Sequence, residues 1–140
     1  MVIRNSEFYD KIHDFKNTLS STKIKHENWD NQKKDDVISI LNSKLNDMEE
    51  ILKNQKFEFE IKGNANIKLK MEFEYLKVEL KYNKIFNGNI EVTLLYPEIK
   101  NEQDKVKKES IGLYKDPNEI NEVEINKNLH TALQYIKYKF

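Results

Sequence analysis

Apolar side chains change their rhythm along this chain, and each change marks an element. Phe8, Ile12, Phe15 and Leu19 recur at steps of four, three and four, which places them on one face of a helix with Asn5 or Ser6 as N-cap. The polar stretch STKIKHEN, residues 21–28, interrupts that rhythm. Asp30 then stands where an N-cap is needed for a second helix, whose stripe is Val37, Ile38, Leu41, Leu45, Met48 and Leu52. Two such helices with a polar break between them predict an N-terminal antiparallel αα hairpin. The heptad spacing from Ile38 to Leu52 also suits a coiled coil with another subunit, although it lasts for only about two repeats where three or four are persuasive.

From Lys56 onward the period shortens to two. KFEFEIK at 56–62 and IKLKMEF at 67–73 both alternate apolar and charged residues, and Gly63-Asn64-Ala65 suits a three-residue hairpin loop. Pairing Lys62 with Asn66 sets Ile61 against Ile67, Phe59 against Leu69 and Phe57 against Met71. On the other face it sets Glu60, Glu58 and Lys56 against Lys68, Lys70 and Glu72, three pairs of opposite sign. The alternation skips a beat at Tyr75-Leu76, and FEYLKV contains no Gly, Pro, Asn or Asp, so a bulge within one long bent strand is expected. Asn87-Gly88-Asn89 turns the chain into a strand from Ile90 to Tyr96, with Tyr82 against Leu94, Leu80 against Tyr96 and Lys84 against Val92. Pro97 ends it, since proline cannot donate to a ladder.

Residues 98–110, EIKNEQDKVKKES, have no clear period and are expected to form a mobile connection, with IGLY at 111–114 as a short edge strand. The last helix is the best marked. Asn121 as N-cap and Glu124 three positions on form a capping box, and Ile120 is placed to staple onto Ile125. Ile125, Leu129, Ala132, Leu133, Ile136 and Phe140 line the face expected to cover the sheet. The fold class expected is α+β in a single domain spanning residues 1–140: an αα hairpin, an antiparallel sheet of three to four strands with one long bent strand, and a C-terminal helix packed on the sheet.

Composition changes this picture mainly by exclusion. With 24 basic and 24 acidic residues the formal charge is zero, so no global field draws the chain to nucleic acid or to an anionic membrane. The absence of cysteine removes disulfides, thiolate ligands and thiol nucleophiles together, and makes the cytoplasm the default compartment. No window approaches the ~20 apolar residues that span a bilayer, so no membrane partner is expected. Lys, Asn and Ile are abundant while Ala occurs only at 65 and 132, a bias that points to an AT-rich genome.

Candidate chemistry is sparse. His13, His26 and His130 share no metal-ligand spacing, and Gly63, Gly88 and Gly112 lie too far apart to build a phosphate loop. No metal site and no cofactor is implied. One enzymatic alternative rests on VELK, which puts Glu79 and Lys81 on one side of a strand. Metal-dependent nucleases of the PD-(D/E)xK superfamily carry an acid-x-lysine triplet in that setting, and the order helix, hairpin, triplet loosely resembles theirs. Glu60-Ile61-Lys62 and Glu98-Ile99-Lys100 match the triplet equally well, so it does not mark one site.

A nucleic-acid-binding accessory role is a further alternative. Tyr75, Tyr82 and Tyr96 sit near lysines, but Glu58, Glu60, Glu72, Glu74 and Glu79 share their sheet, and Asp104 and Glu109 flank the Lys105, Lys107, Lys108 cluster. The reading favoured is a small non-enzymatic domain that binds another protein through Trp29, Tyr135 and Tyr138, aromatic residues of the kind enriched at interface anchors. A homodimer through helices 1 and 2 is compatible with it. Size, neutrality and base composition together suit an inhibitor, immunity or anti-defence protein of a phage or other mobile element that acts by occluding its partner.

Overall fold

The computed structural model describes residues 5–73, 76–97 and 106–139, with side chains as far as Lys137 at the C-terminal end. The architecture is α+β. Helix α1 (Asn5–Asn28), a π-helical turn (Trp29–Lys33) and α2 (Lys34–Ile51) lead into five strands, β1 (Phe57–Gly63), β2 (Ile67–Phe73), β3 (Leu76–Lys84), β4 (Ile90–Pro97) and β5 (Val106–Tyr114). A short 3-10 turn (Pro117–Glu119) then precedes α3 (Glu122–Lys139). The strands form one antiparallel sheet in chain order, β1-β2-β3-β4-β5.

The expected αα hairpin is absent: the backbone stays helical through Asn28 and Lys34, so α1 and α2 are one continuous run without reversal. The stretch that interrupts the apolar rhythm contains no Gly or Pro, hence nothing that stops a helix. The interruption is instead a change of winding. Trp29 and Val37, both fully buried, are eight residues apart, whereas two α-helical turns take about 7.2 residues. The wider π turn absorbs the surplus residue and keeps both side chains on the sheet-facing side. Asp30 is therefore not an N-cap. Its carboxylate takes Lys84 Nζ at 2.8 Å, and Lys84 lies opposite Ile90 where Val92 was expected.

Apolar faces follow the alternation as expected. Ile67, Leu69 and Met71 of β2, Val78, Leu80 and Tyr82 of β3, and Ile90, Val92, Leu94 and Tyr96 of β4 are all buried. Val37, Leu41 and Leu45 of α2, and Ile125, Leu129 and Ala132 of α3, complete the same core from one side of the sheet. Asn121 caps α3 by accepting from the Glu124 amide at 3.0 Å. The Glu124 carboxylate, expected to close the capping box, accepts the Tyr114 hydroxyl at 3.0 Å. Leu133, read as core, remains exposed, and Phe140 lies outside the described residues.

The sheet departs from expectation in four places. β1 and β2 pair Ile61 with Leu69 and Phe59 with Met71, two residues away from the register set by charge. A shift of two preserves which face is apolar, so alternation alone does not distinguish the two registers. Only Glu60 now faces an opposite charge, Lys70, while Lys62 faces Lys68 and Glu58 faces Glu72. The loop decides this. Ala65 accepts the Trp29 indole N–H at 2.9 Å, Asn66 Oδ1 accepts the Lys84 amide at 2.9 Å, and Gly63 lies so close to Ile38 that a side chain there would collide with it. Exposed ion pairs contribute at most about 1 kcal/mol each and do not outweigh that anchorage. The displaced charges find partners on β3 instead: Lys68 with Glu79 at 3.2 Å and Glu72 with Lys77 at 3.3 Å.

The second correction concerns the skipped beat. Phe73 pairs directly with Leu76, so β2 and β3 are separate antiparallel strands and the long bent strand does not exist. Residues 74 and 75, where the bulge was placed, lie outside the described residues. When a two-residue connection joins antiparallel strands, odd positions pair with even ones, so apolar residues must change parity as they do between Phe73 and Leu76. Third, residues 106–110 belong to β5, so the edge strand is nine residues long, and the rest of the expected connection, residues 98–105, lies outside the described residues. The sheet irregularity falls here: Val92 pairs with Gly112 and Thr93 with Ser110, leaving Ile111 as the additional residue. The β3–β4 register likewise sits two residues from expectation, with Leu80 opposite Leu94 and Tyr82 opposite Val92.

The like-charge pair Glu58–Glu72 makes the β1–β2 register testable. Glu58→Lys is expected to raise stability in urea titration by roughly 0.2–1 kcal/mol, because it turns a repulsive cross-strand pair into an attractive one. A loss of similar size would favour the register in which Glu58 faces Lys70.

Candidate functional site

The residues singled out in the sequence do not form one surface. Trp29 is fully buried and donates to the Ala65 carbonyl, so its side chain offers nothing to a partner. Tyr135 is half-buried beside Tyr96, with ring centres 6.1 Å apart, and its hydroxyl donates to Glu109 Oε2 at 3.2 Å. That hydrogen bond and the Glu109 charge raise its pKa above the ordinary tyrosine value. The Tyr138 side chain lies outside the described residues.

Glu79 and Lys81 project from the open face of the sheet. The Glu79 carboxylate lies 3.2 Å from Lys68 Nζ on one side and 4.0 Å from Lys81 Nζ on the other. A carboxylate held between two ammonium groups is opposed to cation binding, because an incoming ion must displace both. Among the described residues, no three His, Asp or Glu side chains are grouped to hold a metal ion. His13 and His130 are exposed, and His26 Nε2 lies 2.9 Å from the Phe86 carbonyl, which it serves as donor. A shallow pocket of about 50 Å³ is lined by Glu60, Lys62, Lys68 and Lys70. Lys107 and Lys108 fall on β5, and Lys105 lies outside the described residues.

Beneath the sheet, Asn128 is buried and donates to the Tyr82 hydroxyl at 3.0 Å. Tyr114 is shared between Glu124 at 3.0 Å and Asn128 at 3.3 Å. Burial drives the Tyr82 hydroxyl well above the ordinary tyrosine range and pushes Tyr114 up to about 12; Asn128 opposes both shifts, and Glu124 adds to that of Tyr114. This network holds α3 to β3 and β5.

The feature sequence reasoning misplaced is α1. Its stripe was assigned to a hairpin core, yet no residue of the helix is buried, and Phe8 and Phe15 are 57% and 63% exposed. Tyr9, Ile12 and Leu19 are exposed beside them. The helix is partly covered only from Thr22 onward. Gly88, at φ +85°, brings the β3–β4 loop so close that a side chain there would stand 2.6 Å from Lys25 Cβ, and His26 holds the neighbouring Phe86 carbonyl. The Phe86 side chain, 90% exposed, stands at this root. From Asn5 to Ser21 every residue is exposed, so α1 projects as an arm of roughly 25 Å at 1.5 Å per residue. The signal that would have revealed it is the lack of any Gly or Pro between Leu19 and Lys34.

Comparison with family models, curated proteins and solved structures finds no match to this chain.

Two outcomes follow from this geometry. A Tyr114 pKa raised from the ordinary 10.0 to about 12 favours the folded state fully below pH 10, and that contribution is lost as pH rises from 10 towards 12. Thermal melts should therefore hold steady from neutral pH to about 9 and fall beyond 10, with Tyr114→Phe flattening the alkaline decline. Millimolar Mn²⁺ should shift the melting temperature by no more than about one degree, since a weak site stabilises only by RT ln(1 + [L]/Kd).

Proposed function

We propose that this protein is a small non-enzymatic domain whose function is to dock on protein, and that α1 is the docking element. The observation that supports this is the exposed stripe Phe8, Ile12, Phe15 and Leu19 on a helix with no buried residue of its own. Leaving such a contiguous apolar face in water is unfavourable at about 25 cal/mol per Å², and patches of this kind mark interaction sites. Anchors at i, i+4, i+7 and i+11 match the way an amphipathic helix enters an apolar groove or pairs with another helix.

Charge supports protein over nucleic acid. On the open sheet face the Lys62, Lys68, Lys77 and Lys81 ammonium groups are paired with Glu60, Glu72 and Glu79, and α1 itself carries four lysines against four acids. Few phosphates could be neutralised at once by such a surface. Occlusion of a partner, as an inhibitor or immunity protein acts, is a mode that a projecting helix can serve without chemistry of its own.

The test is a comparison of wild type with Phe8→Glu/Phe15→Glu. Both should melt at the same temperature, because neither side chain is packed in the core, while proteins co-purified with wild type from the cells of origin should be lost with the variant. Undiminished recovery with the variant would remove α1 as the site. Salt-sensitive binding to generic RNA or DNA at micromolar affinity would favour the nucleic-acid reading instead.

A further inference from the structure

We infer that the surface received by α1 is a second copy of α1, related by a two-fold axis and running antiparallel. This rests on the proposal that α1 is a docking element and names its occupant. The stripe is close to symmetrical about a point between His13 and Asp14: Phe8 and Leu19 lie equally far from it, as do Ile12 and Phe15. An antiparallel copy centred there forms four layers, Phe8 on Leu19, Ile12 on Phe15, and the two repeats generated by the axis, which is the a-to-d layering of an antiparallel pair.

The free length of the helix agrees with this. Residues 5–21 are all exposed, and Thr22 is the first to be partly covered by the body of the protein. In the proposed pairing Asn5 of one copy reaches Thr22 of the other, so each arm is overlaid along its whole projecting length and ends where the neighbouring body begins. Phe8, Tyr9, Ile12, Phe15 and Leu19 are each about half exposed, and covering them on two copies removes on the order of 1,000 Å², the least that a specific interface requires.

Charge selects the direction. Tyr9 and Lys16 border one side of the stripe, Lys11 and Thr18 the other, and Glu7, Asp10 and Asp14 fall away from it. A parallel pair would bring Lys11 against Lys16 of the neighbour, a like-charge contact on both sides. The antiparallel pair sets Tyr9 against Lys16, a cation over an aromatic ring, and Lys11 against Thr18. The exposed apolar seam and the lysines beside it are thus compatible in one orientation only.

The chain lacks cysteine, so introduced thiols report distance without background. The 140-residue chain, mass 16.8 kDa, should sediment as a dimer at micromolar concentration, and Phe15→Glu should weaken association at least about tenfold without lowering the melting temperature. Phe8→Cys mixed with Leu19→Cys should give a disulfide-linked heterodimer under mild oxidation, while neither variant alone should cross-link, since the two Phe8 positions lie roughly 16 Å apart along the pair. Self-linking of Phe8→Cys would establish a parallel pair and overturn the inference. A dimer indifferent to Phe15→Glu would place the contact elsewhere and also overturn it. A protein that is monomeric at high micromolar concentration would overturn self-docking alone, because co-purification lost with Phe8→Glu/Phe15→Glu would still assign α1 to a different partner.

Discussion

Trp29 is the fixed point of this structure. Its ring is fully enclosed, and its N–H is bound to a carbonyl in the β1–β2 loop. An indole removed from water without that acceptor would leave a buried donor unsatisfied, at a cost of about 1–3 kcal/mol, so ring and loop must sit together. The π turn keeps Trp29 in line with Val37 and Leu41, which rest on the sheet. The same anchorage settles the β1–β2 register, and through Asn66 and Lys84 it reaches β3 and the Asp30 carboxylate. Helix winding, loop position and strand register are therefore one linked constraint.

That constraint also explains the arm. Because the helical run is held to the sheet from Trp29 onward, residues 5–21 are aimed away from the core, and the rest of α1 meets the β3–β4 loop through Thr22, Lys25 and His26. A helix this long gains little from its own hydrogen bonds in water, since most helical stability in proteins comes from packing an apolar face. The face on α1 has the composition for such packing, with two phenylalanines, an isoleucine and a leucine, but none of these side chains is buried. The counterpart we propose for it is a second molecule.

The open sheet face has a different logic. Glu and Lys alternate across β1, β2 and β3, and neighbouring strands neutralise one another through Lys68–Glu79 and Glu72–Lys77. Each pair contributes little to stability. Their collective effect is a surface with no dominant sign, and Glu79 is engaged by lysines where a metal-dependent enzyme would need a free carboxylate. The Asn128, Tyr82 and Tyr114 network is equally closed, with its hydroxyls turned into the packing between α3 and the sheet.

Periodicity in the sequence determined which residues of β2, β3 and β4 are buried and where α3 begins, because alternation and an N-cap act over a few neighbouring residues. It also marked Phe8, Ile12, Phe15 and Leu19 as one helical face. Which surface that face meets was decided only in three dimensions, because a helical stripe has the same pattern whether it packs on its own chain or on another. Strand register belonged to the tertiary structure as well. A shift of two residues leaves every apolar side chain on the same face, and the choice fell to Trp29, Asn66 and Gly63, whose partners lie far away in the chain. The break at residues 21–28 was visible, yet its meaning, a surplus residue taken up by a π turn instead of a chain reversal, depended on the sheet that Trp29 and Val37 must both face.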